Sequence, residues 1–126
     1  NKAIKKLLER RIHKEVQGSR EAFIKKNTKK NKKIIFADIP LLFENKLEKS
    51  FDLVICIISS KKNRIKRVLK NKKFTKENLN KIFKAQTTDK ERKKRSQIII
   101  KNNKTKKDFI FSVEKVLTRL IKWEKL

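Results

Sequence analysis

Apolar positions recur at helical spacing near the start of the chain, at Ile4, Leu7, Leu8, Ile12 and Val16. The spacing predicts a helix over about 2–17. Gly18 is a candidate end or bend. Ser19 is a candidate cap for a second helical stretch carrying Ala22, Phe23 and Ile24, so that helices occupy about 2–31. A polar run then gives way to Ile34-Ile35-Phe36-Ala37, a continuously apolar segment that reads as a buried strand over about 33–38 and stops at Pro40. A second such strand is expected over about 52–58 and a third over about 97–100. Between them lie two amphipathic stretches, one carrying Ile65, Val68 and Leu69, the other Leu79, Ile82 and Phe83 behind the cap residue Thr75. Residues 84–96 are mostly polar and basic. Thr105 with Asp108 three places on is a capping signal. It opens a last helix over about 105–123, with Ile110, Val113, Val116, Leu117, Leu120 and Ile121 as its buried stripe. Helices alternating with all-apolar strands are the pattern of an α/β fold with a parallel sheet. No repeat or linker divides the chain, so one domain over 1–126 is expected.

Charge changes this picture in one respect. The formal net charge is +26, which draws such a chain towards phosphates, whether of nucleotides or nucleic acid. The basic residues are mostly lysines scattered throughout, alongside abundant Asn, Ile and Phe, which is also what an AT-rich coding sequence yields. A nucleic-acid-binding module is therefore one reading, of the non-specific, salt-sensitive kind. Stacking aromatics do not support it, since there is no Tyr and most of the eight Phe occupy apolar positions. The longest apolar run, residues 53–58, is far too short to span a membrane. Cys56, the sole cysteine, lies inside that run and reads as a small buried hydrophobe in a reducing, cytoplasmic setting. One histidine and one cysteine give no metal-ligand cluster, so no metal-binding side chains are expected.

With Gly18 as the only glycine, no glycine-rich phosphate loop can occur within these residues. Two features nevertheless point to phosphate chemistry. The basic stretch around Lys90, Arg92, Lys93, Lys94 and Arg95 can close over a triphosphate as a lid, or simply be a solvated helix. Asp38 and Glu44 follow an apolar run, at the edge where open α/β sheets bind ligands, or at an ordinary strand-to-helix corner.

At these residues the chain resembles a known family. Ile39-Pro40-Leu41-Leu42-Phe43-Glu44 resembles the P-L-L-F-E signature of dephospho-CoA kinases. Leu47, Asp52 and the run 53–58 follow as in that pattern. Arg67 matches an arginine on the next helix, and Ile82, Ala85 and Gln86 match the I-x-x-A-Q segment. Arg92 falls at a basic position six residues after that glutamine, and Ile99-Ile100-Lys101-Asn102 is similar to a V-I-D-N strand end. Upstream, Leu8, Glu9, Ile12 and His13 resemble an L-E-x-x-x-H-P segment. Lys14, Asn71, Gln97 and Lys101 depart from the pattern, which keeps a degenerate, inactive relative as an alternative.

The resemblance implies a P-loop kinase fold of the adenylate-kinase type, a three-layer parallel sheet whose first strand and phosphate loop lie N-terminal to these residues. A chain opening on Asn1 is then expected to be a fragment. It implies a monomeric phosphotransferase that uses ATP and Mg²⁺ to phosphorylate the 3′-hydroxyl of dephospho-CoA. It implies that Arg92 is a catalytic lid cation, that His13, Leu41, Leu42 and Glu44 line the acceptor cleft, and that Arg67 and Asn102 contact the nucleotide.

Overall fold

A computed structural model of the chain describes residues 2–70 and 74–123, so the departure at Asn71 lies outside the described residues. The chain divides into two compact units, Asn1–Ile39 and Pro40–Leu126, each described by itself.

The first unit is built on one helix, α1 (Lys2–Lys29). The two helices expected around Gly18 are continuous, because a glycine in a helix interior costs only about 1 kcal/mol and the hydrogen-bond ladder carries through it. A side-chain bridge from Gln17 Nε2 to Glu21 Oε1 (2.8 Å) spans the position. Asn31, at φ 53°, ends the helix. The Lys32 amide donates to the Asn27 carbonyl (3.1 Å) and the Asn31 amide to the Thr28 carbonyl (2.9 Å), a Schellman closure with Asn in the left-handed position usually held by Gly. Lys26 and Lys29 sit in the last turn, where cations offset the carbonyl end of the helix dipole.

The strand expected over 33–38 is not formed. Residues 34–39 belong to no ladder among the described residues, and Ile34 and Phe36 are exposed. An apolar run becomes a strand only when a neighbouring strand takes up its amides and carbonyls.

The second unit opens with a helical turn over residues 40–46. Lys46, at φ 54°, closes it, with the Leu47 amide on the Leu42 carbonyl (3.0 Å) and the Lys46 amide on the Phe43 carbonyl (3.2 Å). A 3₁₀ turn (Glu48–Ser50) leads to β1 (Ile55–Ile58). Helices α2 (Lys61–Lys70), α3 (Lys76–Ala85) and α4 (Asp89–Lys94) precede β2 (Ile98–Lys101), and α5 (Lys106–Trp123) follows it and packs on β2. The strands pair in parallel, Ile55 with Ile98 through Ile58 with Lys101. The ladder extends at both ends. Gln97 Oε1 accepts from the Val54 amide (2.8 Å), and the Asn102 amide donates to the Ile58 carbonyl (2.8 Å).

Phe43, Val54, Cys56 and Ile58 form the core, with Leu42, Phe51 and Ile99 against it. β1 is not buried on both faces as its unbroken apolar run suggests. Cys56 and Ile58 are buried while Ile57 between them is 55% exposed, since alternate side chains point to opposite faces and only one face is covered. Leu79 anchors α3.

Each helix after β1 starts on a side-chain cap. Ser60 Oγ accepts from Asn63 N, Thr75 Oγ1 from Asn78 N and Thr88 Oγ1 from Glu91 N, all at 3.2 Å. Thr105 and Asp108 form a reciprocal box: the Asp108 amide donates to Thr105 Oγ1 (3.2 Å) and the Thr105 amide to Asp108 Oδ2 (3.1 Å). No helix among the described residues is long and apolar enough to cross a membrane.

Candidate functional site

The turn 40–46 holds Leu41 in the left-handed region, at φ 55°, with its side chain exposed. A bulky residue adopts that backbone only when its surroundings impose it, and such residues gather at ligand sites. Asn45 does the imposing: its backbone amide (3.1 Å) and its side-chain amide (3.0 Å) both donate to the Leu41 carbonyl. Leu42 and Phe43 point back towards the core.

Glu44, next in the turn, reaches the basic segment. Its Oε1 accepts from the Thr87 amide at 2.7 Å and lies 3.5 Å from Arg92 Nη2. Both side chains are 19% exposed. Burial alone would raise the Glu44 carboxyl, but the Thr87 hydrogen bonds and the Arg92 charge outweigh it and hold the group below its usual range. Arg92 also donates to Gln86 Oε1 (3.4 Å) and lies 3.7 Å from Asp89 Oδ1.

The basic segment is thus not a free solvated helix. Two further arginines tie it down. Arg64 of α2 donates to Asp89 through both terminal nitrogens (3.0 and 2.8 Å) and lies over the Phe83 ring (5.3 Å). Arg95 donates to Glu48 and to the Phe43 carbonyl (3.1 Å) and lies over the Phe43 ring (5.1 Å). Lys90, Lys93 and Lys94 remain exposed.

A second polar cluster sits where both strands end. Arg67 donates to Asn102 Oδ1 (3.4 Å) and to Ser59 Oγ (3.5 Å). Asn103 Oδ1 accepts from the Ser60 amide (2.7 Å) and from Ser59 Oγ (3.2 Å), and its carbonyl accepts from Asn63 Nδ2 (3.2 Å). The carboxyl edge of a parallel sheet is where α/β proteins bind ligands.

The structure therefore brings Glu44 to Arg92 and Arg67 to Asn102, with Leu41 and Leu42 in the same unit. His13 lies exposed on α1 in the first unit. Thr87, Asp89, Arg64, Glu48, Arg95 and Asn103 do structural work at these two clusters that spacing does not reveal. Only Asn103 carries a local signal, as a second amide beside Asn102 at a strand end.

The carboxylates nearest the basic segment, Glu44, Glu48 and Asp89, all face arginines, and no group of three or more His, Cys, Asp or Glu among the described residues could hold a metal. This donor set does not fit Mg²⁺. Burial pushes the Cys56 thiol up, against a hydrogen bond to Ser96, which suits a packing residue more than a nucleophile.

A family model described as Dephospho-CoA kinase matches residues 1–108. The chain belongs to the dephospho-CoA kinase family. A dephospho-CoA kinase of Fusobacterium nucleatum is 34% identical over 87 residues, 69% of this chain and 45% of that protein. One of Bradyrhizobium diazoefficiens is 34% identical over 95 residues, covering 75% and 48%. One of Brucella melitensis is 31% identical over 118 residues, covering 94% and 58%. The chain spans about half the length of the curated relatives it matches. In this member of the dephospho-CoA kinase family the turn at 40–46 and the basic segment are in contact through Glu44 and Thr87.

Proposed function

We propose that these residues form the acceptor-side and lid portion of a cytoplasmic, monomeric dephospho-CoA kinase with the P-loop kinase fold. The reaction moves the γ-phosphoryl group of ATP to the 3′-hydroxyl of dephospho-CoA. The bond from γ-phosphorus to the β–γ bridging oxygen breaks, the bond to the 3′-oxygen forms, ADP leaves and the hydroxyl proton is released. Such transfer is mostly positioning and charge stabilisation, so a well-held arginine is the kind of group it uses. The observation that carries this reading is Arg92, braced on Glu44 of the P-L-L-F-E turn and on Gln86 of the A-Q segment. Arg92 is assigned to the transferring phosphates, with exposed Lys90, Lys93 and Lys94 adding positive field. Leu41, Leu42 and His13 are assigned to the acceptor, and Arg67 and Asn102 to the nucleotide. The phosphate-cradling loop is not among these 126 residues, which hold one glycine. ATP-held Mg²⁺ would have to be carried by the nucleotide and groups outside the Glu44, Glu48 and Asp89 set.

The test is a coupled ADP-release assay on the full-length protein with ATP, Mg²⁺ and dephospho-CoA. Acceptor-dependent ADP release is expected, and Arg92→Ala is expected to lower kcat by roughly 10²–10³, the usual cost of losing one charge-stabilising donor. No acceptor-dependent release from the wild type would sink the reading in favour of an inactive relative. The charge of +26 favours one further reading, non-specific nucleic-acid binding. Measurable affinity for random duplex at moderate salt, falling steeply as salt rises further, would support it, and affinity already gone at moderate salt would make it a by-product of charge.

A further inference from the structure

Among the residues assigned to the acceptor, Glu44 is the one whose geometry points elsewhere. Its Oε1 is taken by the Thr87 amide at 2.7 Å, with Arg92 at 3.5 Å. Thr87 belongs to the short link, residues 86–88, between α3 and α4. Any rotation of α4 about that link must pass through Thr87. The far end of the basic segment is separately fixed, by Arg95 on Glu48 and on the Phe43 carbonyl, and Phe43 precedes Glu44 in the same turn. So one turn, residues 40–46, holds the link through Glu44 and the end of the segment through Phe43, while presenting Leu41 in a left-handed backbone on its exposed side.

We propose that Glu44 is a positioning residue: it acts through Thr87 and Arg92, coupling the Leu41–Leu42 turn to the placement of the lid arginine, and does not itself bind the acceptor. This rests on the kinase reading for its catalytic consequence, but the coupling is a property of the fold and can be measured without turnover. A carboxylate that bound the acceptor, through its second oxygen or by leaving its partners, would lose acceptor affinity on neutralisation whether or not Arg92 is present. A carboxylate that sets Arg92 keeps them, and its effect disappears when Arg92 is gone. Glu44→Gln separates the cases, because the amide oxygen can still accept from the Thr87 N–H while the charge facing Arg92 is lost.

The experiment is a double-mutant cycle in the full-length protein with Glu44→Gln and Arg92→Ala, read by kcat and KM separately. Glu44→Gln alone is expected to lower kcat by about tenfold or more with KM for dephospho-CoA within about twofold. In the Arg92→Ala background the same change is expected to have almost no further effect. Additive losses, or a raised acceptor KM at unchanged kcat, would overturn the proposal. In parallel, amide exchange at Thr87 and the Arg92 Nε–H resonance are followed in wild type and in Glu44→Gln. A shifted Arg92 signal is expected, with Thr87 exchange little changed because the Gln amide oxygen still accepts from it. Identical spectra would overturn the coupling even in an active enzyme. If the wild type shows no ADP release, the kinase reading fails by itself and the spectra still decide the coupling.

Discussion

Arg95 engages a carboxylate, a carbonyl and an aromatic face together, and the Glu48 carboxyl records the result. The Arg95 hydrogen bond holds Glu48 below its ordinary value, and Glu44 is held low by the Thr87 amide and Arg92 against the opposing effect of burial. The sign of the consequence is fixed. A carboxyl with a depressed folded-state value contributes stability that is fully present above the unfolded-state value, about 4.3 for Glu, and is lost as pH falls through the folded-state value. The urea midpoint of the chain is therefore expected to be flat above about pH 5 and to fall below about pH 4. In Glu48→Gln that acid-side fall should shrink, and an unchanged profile would show that the pair carries no stability. Of these contacts, Arg92 was legible because it stands at a fixed distance behind Ala85-Gln86, and Glu44 because it ends P-L-L-F-E. The partners of Arg95 and Arg64 were not. Glu48 lies 47 residues before Arg95 and Asp89 lies 25 after Arg64, and no local pattern selects among thirteen acidic residues for thirty-nine basic ones.

At the level of elements the starts of α3 and α5 were readable, whereas Ser19 starts no helix and the ends at Asn31 and Lys46 carried no sequence signal. Thr75 and the Thr105–Asp108 box act as their spacing indicates, because an N-cap needs only a short oxygen-bearing side chain at one position. Thr105→Ala removes the acceptor for the Asp108 amide and is expected to cost about 1 kcal/mol, seen as a lower urea midpoint, with Thr105→Ser restoring most of it. The ends at Asn31 and Lys46 use positive φ without glycine, so the usual signal was missing. Gly18 misled in the other direction. It is helical, its φ is not positive, and a Cβ added there meets nothing within 4 Å. Gly18→Ala should therefore stabilise α1 by about 1 kcal/mol, since Ala orders at a smaller entropic cost. Slower amide exchange across the middle of α1 is the check, and a loss of protection would mean that Gly18 packs against something. The segment at 34–39 fails as a strand for a reason of the same kind. Its composition is right, but strand formation depends on a neighbour that composition does not contain.

For the whole molecule the balance between a small core and a large charge is what matters. The buried hydrophobics of the described residues are Phe43, Val54, Cys56, Ile58, Leu79 and Ile100, none of them completely enclosed, while Ile57, Ile110, Phe111 and Ile121 of the same unit are about half exposed. Such a core leaves a narrow stability margin. Against it stands the mutual repulsion of a net +26, which is larger in the compact state than in the expanded one because the charges are closer together. Among the described residues, ion pairs such as Lys81–Glu77 offset only part of it, and the four that join Glu44, Glu48 and Asp89 to Arg92, Arg95 and Arg64 are partly shielded from water. Salt distinguishes the two contributions. Raising ionic strength from about 0.05 M to about 0.5 M shortens the Debye length from roughly 14 Å to roughly 4 Å. That removes repulsion between exposed lysines tens of ångströms apart and hardly weakens contacts at 3–4 Å between half-buried groups. The unfolding midpoint of the 126-residue chain is therefore expected to rise with sodium chloride, and to rise less in a variant with several exposed lysines outside the basic segment, such as Lys62, Lys66 and Lys107, changed to Gln. A midpoint that falls with salt would mean that the arginine–carboxylate pairs, and not the lysine field, dominate the electrostatics of this fold.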